Sequence, residues 1–121
     1  MGNSFAHIEL HTSDLADARA FYAKLFDWTL ESAPGDYTMI NAGEGIGGGM
    51  MQDPTPGAPS AWLAYVTVDD VAAHTAHARE LGARVAVELT EVPGMGTFSV
   101  IIDPTGAPIG LWQPLTPVAG S

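Results

Sequence analysis

Residues 7–28 read "HIELHTSDLADARAFYAKLFDW", and two periodicities meet in them. From Phe5 to Thr12 ("FAHIELHT") apolar and polar side chains alternate. Ala6, Ile8 and Leu10 share one face, and His7, Glu9 and His11 the other. A period of two is that of a half-buried β-strand. After Thr12 the spacing changes. Leu15, Ala18, Phe21, Tyr22, Leu25 and Phe26 form one stripe at helical spacing. Ser13 or Asp14 can cap this helix, and acidic Asp14 and Asp17 favour its first turn.

The pattern continues outward. Residues 28–51, "WTLESAPGDYTMINAGEGIGGGMM", give two short strands around a Pro-Gly-Asp turn and then a Gly-rich third strand. "QDPTPGAPS" (52–60) is dense in Pro and Gly and reads as a linker. Beyond it the plan restarts. "AWLAYVTV" (61–68) is a strand. "DDVAAHTAHARELG" (69–82) is a helix with Asp69 or Asp70 at its start and Gly82 as its stop. "ARVAVELTEV" (83–92), "TFSVIID" (97–103) and "APIGLWQP" (107–114) are strands, and "DPTG" (103–106) has the type I turn pattern. An offset of 56 residues places Asp14 on Asp70, Leu15 on Val71, Ala20 on Ala76 and Leu25 on Leu81. The shared order of elements makes this a duplication. The expected fold is α+β, a single domain over 1–121 built from two tandem βαβββ modules, 5–51 and 61–114.

Composition excludes several functions. The net charge is −10 with four basic residues, Arg19, Lys24, Arg79 and Arg84. That balance repels phosphate backbones and anionic membrane surfaces, so neither nucleic acid nor membrane is an expected partner. With no cysteine there is no disulfide, thiolate nucleophile or Cys-ligated zinc. "MGNSFAHIEL" lacks the basic and apolar regions of a signal peptide, and no apolar run approaches the ~20 residues that span a bilayer. The expected compartment is the cytoplasm.

"HIELHTSDLADARAFYAKLFDW", "WLAYVTVDDV" and "DPTGAPIGLWQ" together resemble the vicinal oxygen chelate superfamily, which shares the glyoxalase/bleomycin-resistance/extradiol-dioxygenase fold. The resemblance runs from about Phe5 to Pro114. It implies a curved mixed sheet around a cavity, with the helices on the convex side. His7, Glu9 and His11 then face the cavity, as do Leu63, Tyr65 and Thr67 from the second module. It also implies ligands for a divalent metal on the first and last strand of each module. His7 stands at one such position. Leu63 and Gly110 stand at two others, and "GIGGGMM" offers no donor at the fourth. Leucine and glycine side chains bind no cation. His7 and Glu9, or Glu9 and His11, lie roughly 6.5–7 Å apart along a strand and could share an ion with a third ligand. Glu44, Glu88 and Asp103 are candidates, but none has a position implied by the fold. The expectation is therefore no metal and no other cofactor.

The remaining expectation is a pocket for a small organic molecule. Glu9, mid-strand and facing a partly apolar cavity, should have its pKa raised by desolvation, which suits an acid/base group. It could equally be a hydrogen-bond acceptor for nearby backbone. His7 could share its proton or simply close a polar contact. His11, at the strand end, is either a ligand contact or a solvated edge. Tyr65 can supply a hydroxyl. Leu63, Met50 and Trp112 are the expected apolar wall. His74 and His77 share a helix face and read as solvated. "GEGIGGGMM" lacks the Gly-Lys-Ser/Thr ending of a P-loop and reads as a strand that lets another group come close. "EVPGMGTF" (91–98) reads as a flap over the pocket. Three functions stay open: a metal-independent isomerase, lyase or cyclase using Glu9 and His7; a protein that sequesters an antibiotic or metabolite, as bleomycin-resistance proteins do; and a metal enzyme with displaced ligands. One chain holds both modules, so a homodimer is allowed but not required.

Overall fold

In this computed structural model, residues 2–115 are described. The chain's final residues, which the expected domain includes, lie outside them. The elements run β1 (Phe5–Thr12), α1 (Leu15–Leu25), β2 (Thr29–Ala33), β3 (Tyr37–Asn41), β4 (Gly48–Gln52), β5 (Ala61–Thr67), α2 (Val71–Glu80), β6 (Arg84–Val92), β7 (Gly96–Ile102) and β8 (Pro108–Pro114). This is the expected α+β order, strand–helix–three strands, twice. Two compact units result: His7–Leu63, and the described residues up to Ala6 together with those from Ala64 onward.

In the first unit the strand order is β2-β3-β4-β1. β1 runs parallel to β4, and the other neighbours are antiparallel. Leu10, Ile40 and Met50 form its buried core, with Leu15, Ala18, Tyr22, Trp28 and Leu30 packed on them. Asp14 caps α1 by accepting from the Asp17 backbone N–H at 3.0 Å. Met50 was expected to line a pocket. It is instead 0% exposed inside this core. It pairs with Leu10 and Thr38, so its side chain lies on the helix-covered face. The helix stripe also needs correcting, because Phe21, Leu25 and Phe26 are exposed, Phe26 by 45%. The apolar core beneath α1 is a cluster of three buried hydrophobic side chains, and the helix packs on it through Leu15, Ala18 and Tyr22.

In the second unit the order is β5-β8-β7-β6, with β5 parallel to β8 and β7 antiparallel to both its neighbours. Val68, Val71, Ile101 and Leu111 form its core. Buried Thr75 donates to the Val71 carbonyl at 2.6 Å and shares a 2.8 Å hydrogen bond with Ser99. The expected flap is a tight hairpin turn between β6 and β7, closed by the Met95 N–H donating to the Val92 carbonyl at 2.9 Å.

The duplication extends to a detail that fixes both helix starts. Gln52, at the end of β4, accepts from the Leu15 N–H at 2.9 Å through its side-chain oxygen. Gln113, on β8, accepts from the Val71 N–H at 2.9 Å in the same way. Each glutamine satisfies a helix N–H that has no partner within the helix. Gln52 therefore belongs to the first module rather than to the linker.

Candidate functional site

The polar face of β1 carries the candidate site. Alternation sends Leu10 into the core and turns His7, Glu9 and His11 to the opposite face. In the paired strands, Glu9 lies beside Gly49 and His11 beside Met51, while Met51 lies beside Tyr37 of β3. Tyr37 thus shares the face of Glu9, and its ring lies over Gly49. A Cβ on Gly49 would sit 1.8 Å from the Tyr37 hydroxyl oxygen and 2.2 Å from its Cζ. No side chain larger than hydrogen fits there. The strand that reads as permitting close approach does so for this tyrosine.

Placed in this way, Tyr37 links the two polar groups of β1. Its hydroxyl donates to Glu9 Oε2 at 2.7 Å. His7 Nε2 lies 2.8 Å from the same hydroxyl oxygen. The His7 and Tyr37 rings stack with 6.5 Å between centroids and 22° between planes. The other carboxylate oxygen, Glu9 Oε1, lies 2.7 Å from His11 Nε2. The result is a continuous chain, His7–Tyr37–Glu9–His11. The Glu9 side chain is 13% exposed, and the two imidazoles about a third each.

The electrostatics differ from expectation at Glu9. Burial alone raises its pKa and is the largest single influence. Hydrogen bonds from His11 and Tyr37, with the charges of His11 and His7, together outweigh it and hold the carboxyl below its ordinary value. The His11 imidazole is pushed up, chiefly by its hydrogen bond to Glu9. His11 is thus the partner of Glu9 rather than a solvated edge. The His7 imidazole is pushed down by burial, against the opposing pull of Glu9.

Leu63 is buried. Tyr65 and Trp112 belong to the second unit and share one face of its sheet, where Tyr65 pairs with Gly110 and Thr67 with Trp112. Tyr65 lies over Gly110 and meets Phe98 edge-on at 6.0 Å. Each unit therefore seats a tyrosine ring on a strand glycine. His74 hydrogen-bonds the Asp70 carbonyl and His77 the Glu80 carboxylate, both on the exposed side of α2. Tyr37 is the functional candidate that sequence reasoning missed. Its signal is the Gly-rich β4, which needs an occupant for the space it leaves.

The donor set does not fit the superfamily's metal site. On the face of Glu9, β4 presents Gly49 and Met51. The corresponding residues of β8 are Gly110 and Trp112. None of these side chains supplies a hard oxygen or imidazole donor. Both carboxylate oxygens of Glu9 are engaged within the chain. Among the described residues no group of three or more His, Cys, Asp or Glu is placed to hold a metal ion.

A concavity lies on the opposite, helix-covered face of the first unit. Ile8, Tyr22, Phe26, Trp28, Ile46 and Trp62 line a cleft of about 310 Å³. Its walls are almost wholly apolar, and none of the β1 polar residues reaches it. No described helix is long and apolar enough to cross a membrane.

Comparisons with known proteins agree with the architecture. The family model for the Glyoxalase/Bleomycin resistance protein/Dioxygenase superfamily matches residues 4–111. Over 110 residues the chain is 37% identical to "Putative glyoxylase CFP32" of Mycobacterium bovis, covering 88% of this chain and 42% of that protein. It is 28% identical over 126 residues to the anthracycline biosynthesis protein DnrV of Streptomyces peucetius, covering 89% of this chain and 46% of that protein. The chain thus spans less than half the length of these curated relatives. Among solved structures, methylmalonyl-CoA epimerase from Mycobacterium tuberculosis superposes with a TM-score of 0.66 at 16% identity, covering 97% of this chain and 91% of that one. Homoprotocatechuate 2,3-dioxygenase from Brevibacterium fuscum gives 0.68 at 24% identity, covering 94% and 37%. Likeness at these identities concerns the fold alone. With its family model matched over nearly the whole chain, the protein belongs to the glyoxalase, bleomycin resistance protein and dioxygenase superfamily.

Proposed function

We propose that this protein binds a small organic molecule against the polar face of β1 and moves a proton on it without a metal, as an isomerase, lyase or cyclase. The observation that supports this most is the His7–Tyr37–Glu9 chain of 2.8 and 2.7 Å hydrogen bonds. It joins an imidazole to a carboxylate through a hydroxyl, the groups that general acid/base catalysis uses. The mismatch of the metal donor set favours chemistry carried by side chains. The names of the relatives, a glyoxylase and an anthracycline biosynthesis protein, fit small-molecule work and leave its substrate undefined.

The test begins with a compound that co-purifies with the protein, identified by mass spectrometry and returned to the apoprotein. Wild type should convert it. Glu9→Gln should still bind it and lose about 10²–10⁴-fold in turnover, the usual contribution of an acid/base group. Unchanged turnover in Glu9→Gln would remove Glu9 from the chemistry.

A second reading has its own support. Both oxygens of Glu9 are occupied by internal partners, an arrangement that also suits a rigid polar contact in a sequestering protein. Such a protein returns its ligand chemically unchanged, and the same incubation separates the two.

A further inference from the structure

The first unit holds a cavity that the proton-transfer reading does not use, the apolar cleft on its helix-covered face. We propose that this cleft is a binding site for a flat, uncharged aromatic molecule. The site is separate from the polar face of β1, and the proposal stands without the acid/base reading.

The cleft follows from local sequence. On the helix-covered face, Gly48 of β4 pairs with Ile8 of β1 on one side and with Ile40 of β3 on the other. The middle of that row has no side chain, and a gap is left between two isoleucines. Aromatic side chains close around it: Tyr22 on α1, Phe26 and Trp28 between α1 and β2, and Trp62 on β5. Their rings are held at defined angles. Trp28 stacks on Tyr22 with 5.7 Å between centroids and 24° between planes. Trp62 stands across both, edge-on to Tyr22 at 5.5 Å and to Trp28 at 6.3 Å. A flat ring entering beside them meets two ring planes nearly perpendicular to each other. It can stack on one and meet the other edge-on, the two favoured aromatic geometries.

The chemistry of the lining selects the occupant. None of its side chains is Asp, Glu, Lys, Arg or His. An ion entering it would give up water and gain no charged partner. Its polar side-chain groups are the Tyr22 hydroxyl and two indole N–H groups, each able to donate to an oxygen at the edge of a ligand. The volume of about 310 Å³ stands at the lower end of ligand pockets, roughly 300–1,000 Å³, and suits a small fused-ring compound. Phe26, Ile46 and Trp62 remain exposed around it. Apolar surface gathered in one concavity, rather than scattered singly, marks a binding groove. A second copy of the chain fits less well. The segments that carry the lining also carry exposed Asp27 and Glu44. A symmetric pair would bring both copies' carboxylates to one interface, in a chain of net charge −10.

The probe is β-naphthol, followed in ¹H–¹⁵N NMR through the indole N–H signals of Trp28, Trp62 and Trp112, assigned from Trp28→Phe, Trp62→Phe and Trp112→Phe. Trp112 belongs to the second unit and is the internal control. The Trp28 and Trp62 signals should move together and saturate while Trp112 stays in place. Decahydro-β-naphthol, the saturated compound of the same skeleton, should bind about 2- to 10-fold more weakly, because it lacks the aromatic contribution. Naphthalene sulfonate should not saturate. Ile46→Trp puts a larger side chain at an exposed lining position and should abolish the binding with the urea midpoint unchanged. Trp62→Ala, which removes the edge-on ring, should weaken it. Absence of saturation at Trp28 and Trp62, equal affinity for the saturated compound, or binding indifferent to both variants would each overturn the proposal. So would a self-associating chain that Ile46→Trp dissociates, which would make a second copy the occupant. Glu9→Gln should leave the naphthol affinity unchanged; a change would place the probe on the β1 face and overturn the cleft assignment. Failure here leaves the proton-transfer reading standing, because that reading is tested by turnover.

Discussion

Glu9 receives hydrogen bonds at both oxygens, from Tyr37 and from His11, while its side chain is largely buried. Two signs follow from linkage. The folded pKa of His11 is raised, so its contribution to stability is complete below the ordinary value of 6.5 and is lost as pH rises through the folded value. The folded pKa of Glu9 is lowered, so its contribution is present above the ordinary value of 4.5 and is lost as pH falls through the folded value. The stability difference between wild type and His11→Ala, from urea denaturation, should therefore be largest between about pH 4.5 and 6.5 and shrink on either side. A difference independent of pH would contradict the pairing. His7 runs opposite to His11: its lowered pKa favours the neutral ring, so it destabilises the fold as pH falls through 6.5. Tyr37→Phe removes one bond to a partly buried charge and should cost about 1–2 kcal/mol in the same experiment. The polar stripe itself was legible, because alternation in "FAHIELHT" is strict. The direction of the Glu9 shift was not, because burial is readable from position whereas Tyr37 comes from a strand 28 residues further along.

At the scale of elements, patterned segments were readable and pattern-free ones were not. β1 and both capped helices follow from their periodicity and their Asp caps. β4 reads Gly48-Gly49-Met50-Met51, which has no alternation, so only its pairing decides which methionine is inside. That is why Met50 was taken for a pocket wall although it lies in the core. Met50→Ala should cost about 2–5 kcal/mol, the usual range for truncating a buried side chain. Met51→Ala, on the half-buried polar face, should cost clearly less in matched chemical denaturation. Equal losses would contradict the register. The α1 stripe misled for a different reason. Its spacing is truly helical, but the core beneath it is too narrow to cover Phe21, Leu25 and Phe26.

At the scale of the molecule, the duplicated plan was readable from a 56-residue offset, and Gln52 and Gln113 add the same helix contact in both units. Gly110 and Leu63 carry no side-chain ligating atoms at two of the positions where the resemblance implies metal ligands. Dialysis against a strong chelator should accordingly leave the thermal midpoint unchanged, whereas a fall of several degrees on metal removal would show a resident ion. The partner of Glu9 decides more. In ¹³C NMR the Glu9 side-chain carboxyl can be titrated directly in wild type and in Tyr37→Phe. A midpoint below 4.5 in wild type that moves upward in Tyr37→Phe is the predicted result. A wild-type midpoint above 4.5, or one indifferent to Tyr37, would contradict the His7–Tyr37–Glu9 chain on which the functional account stands.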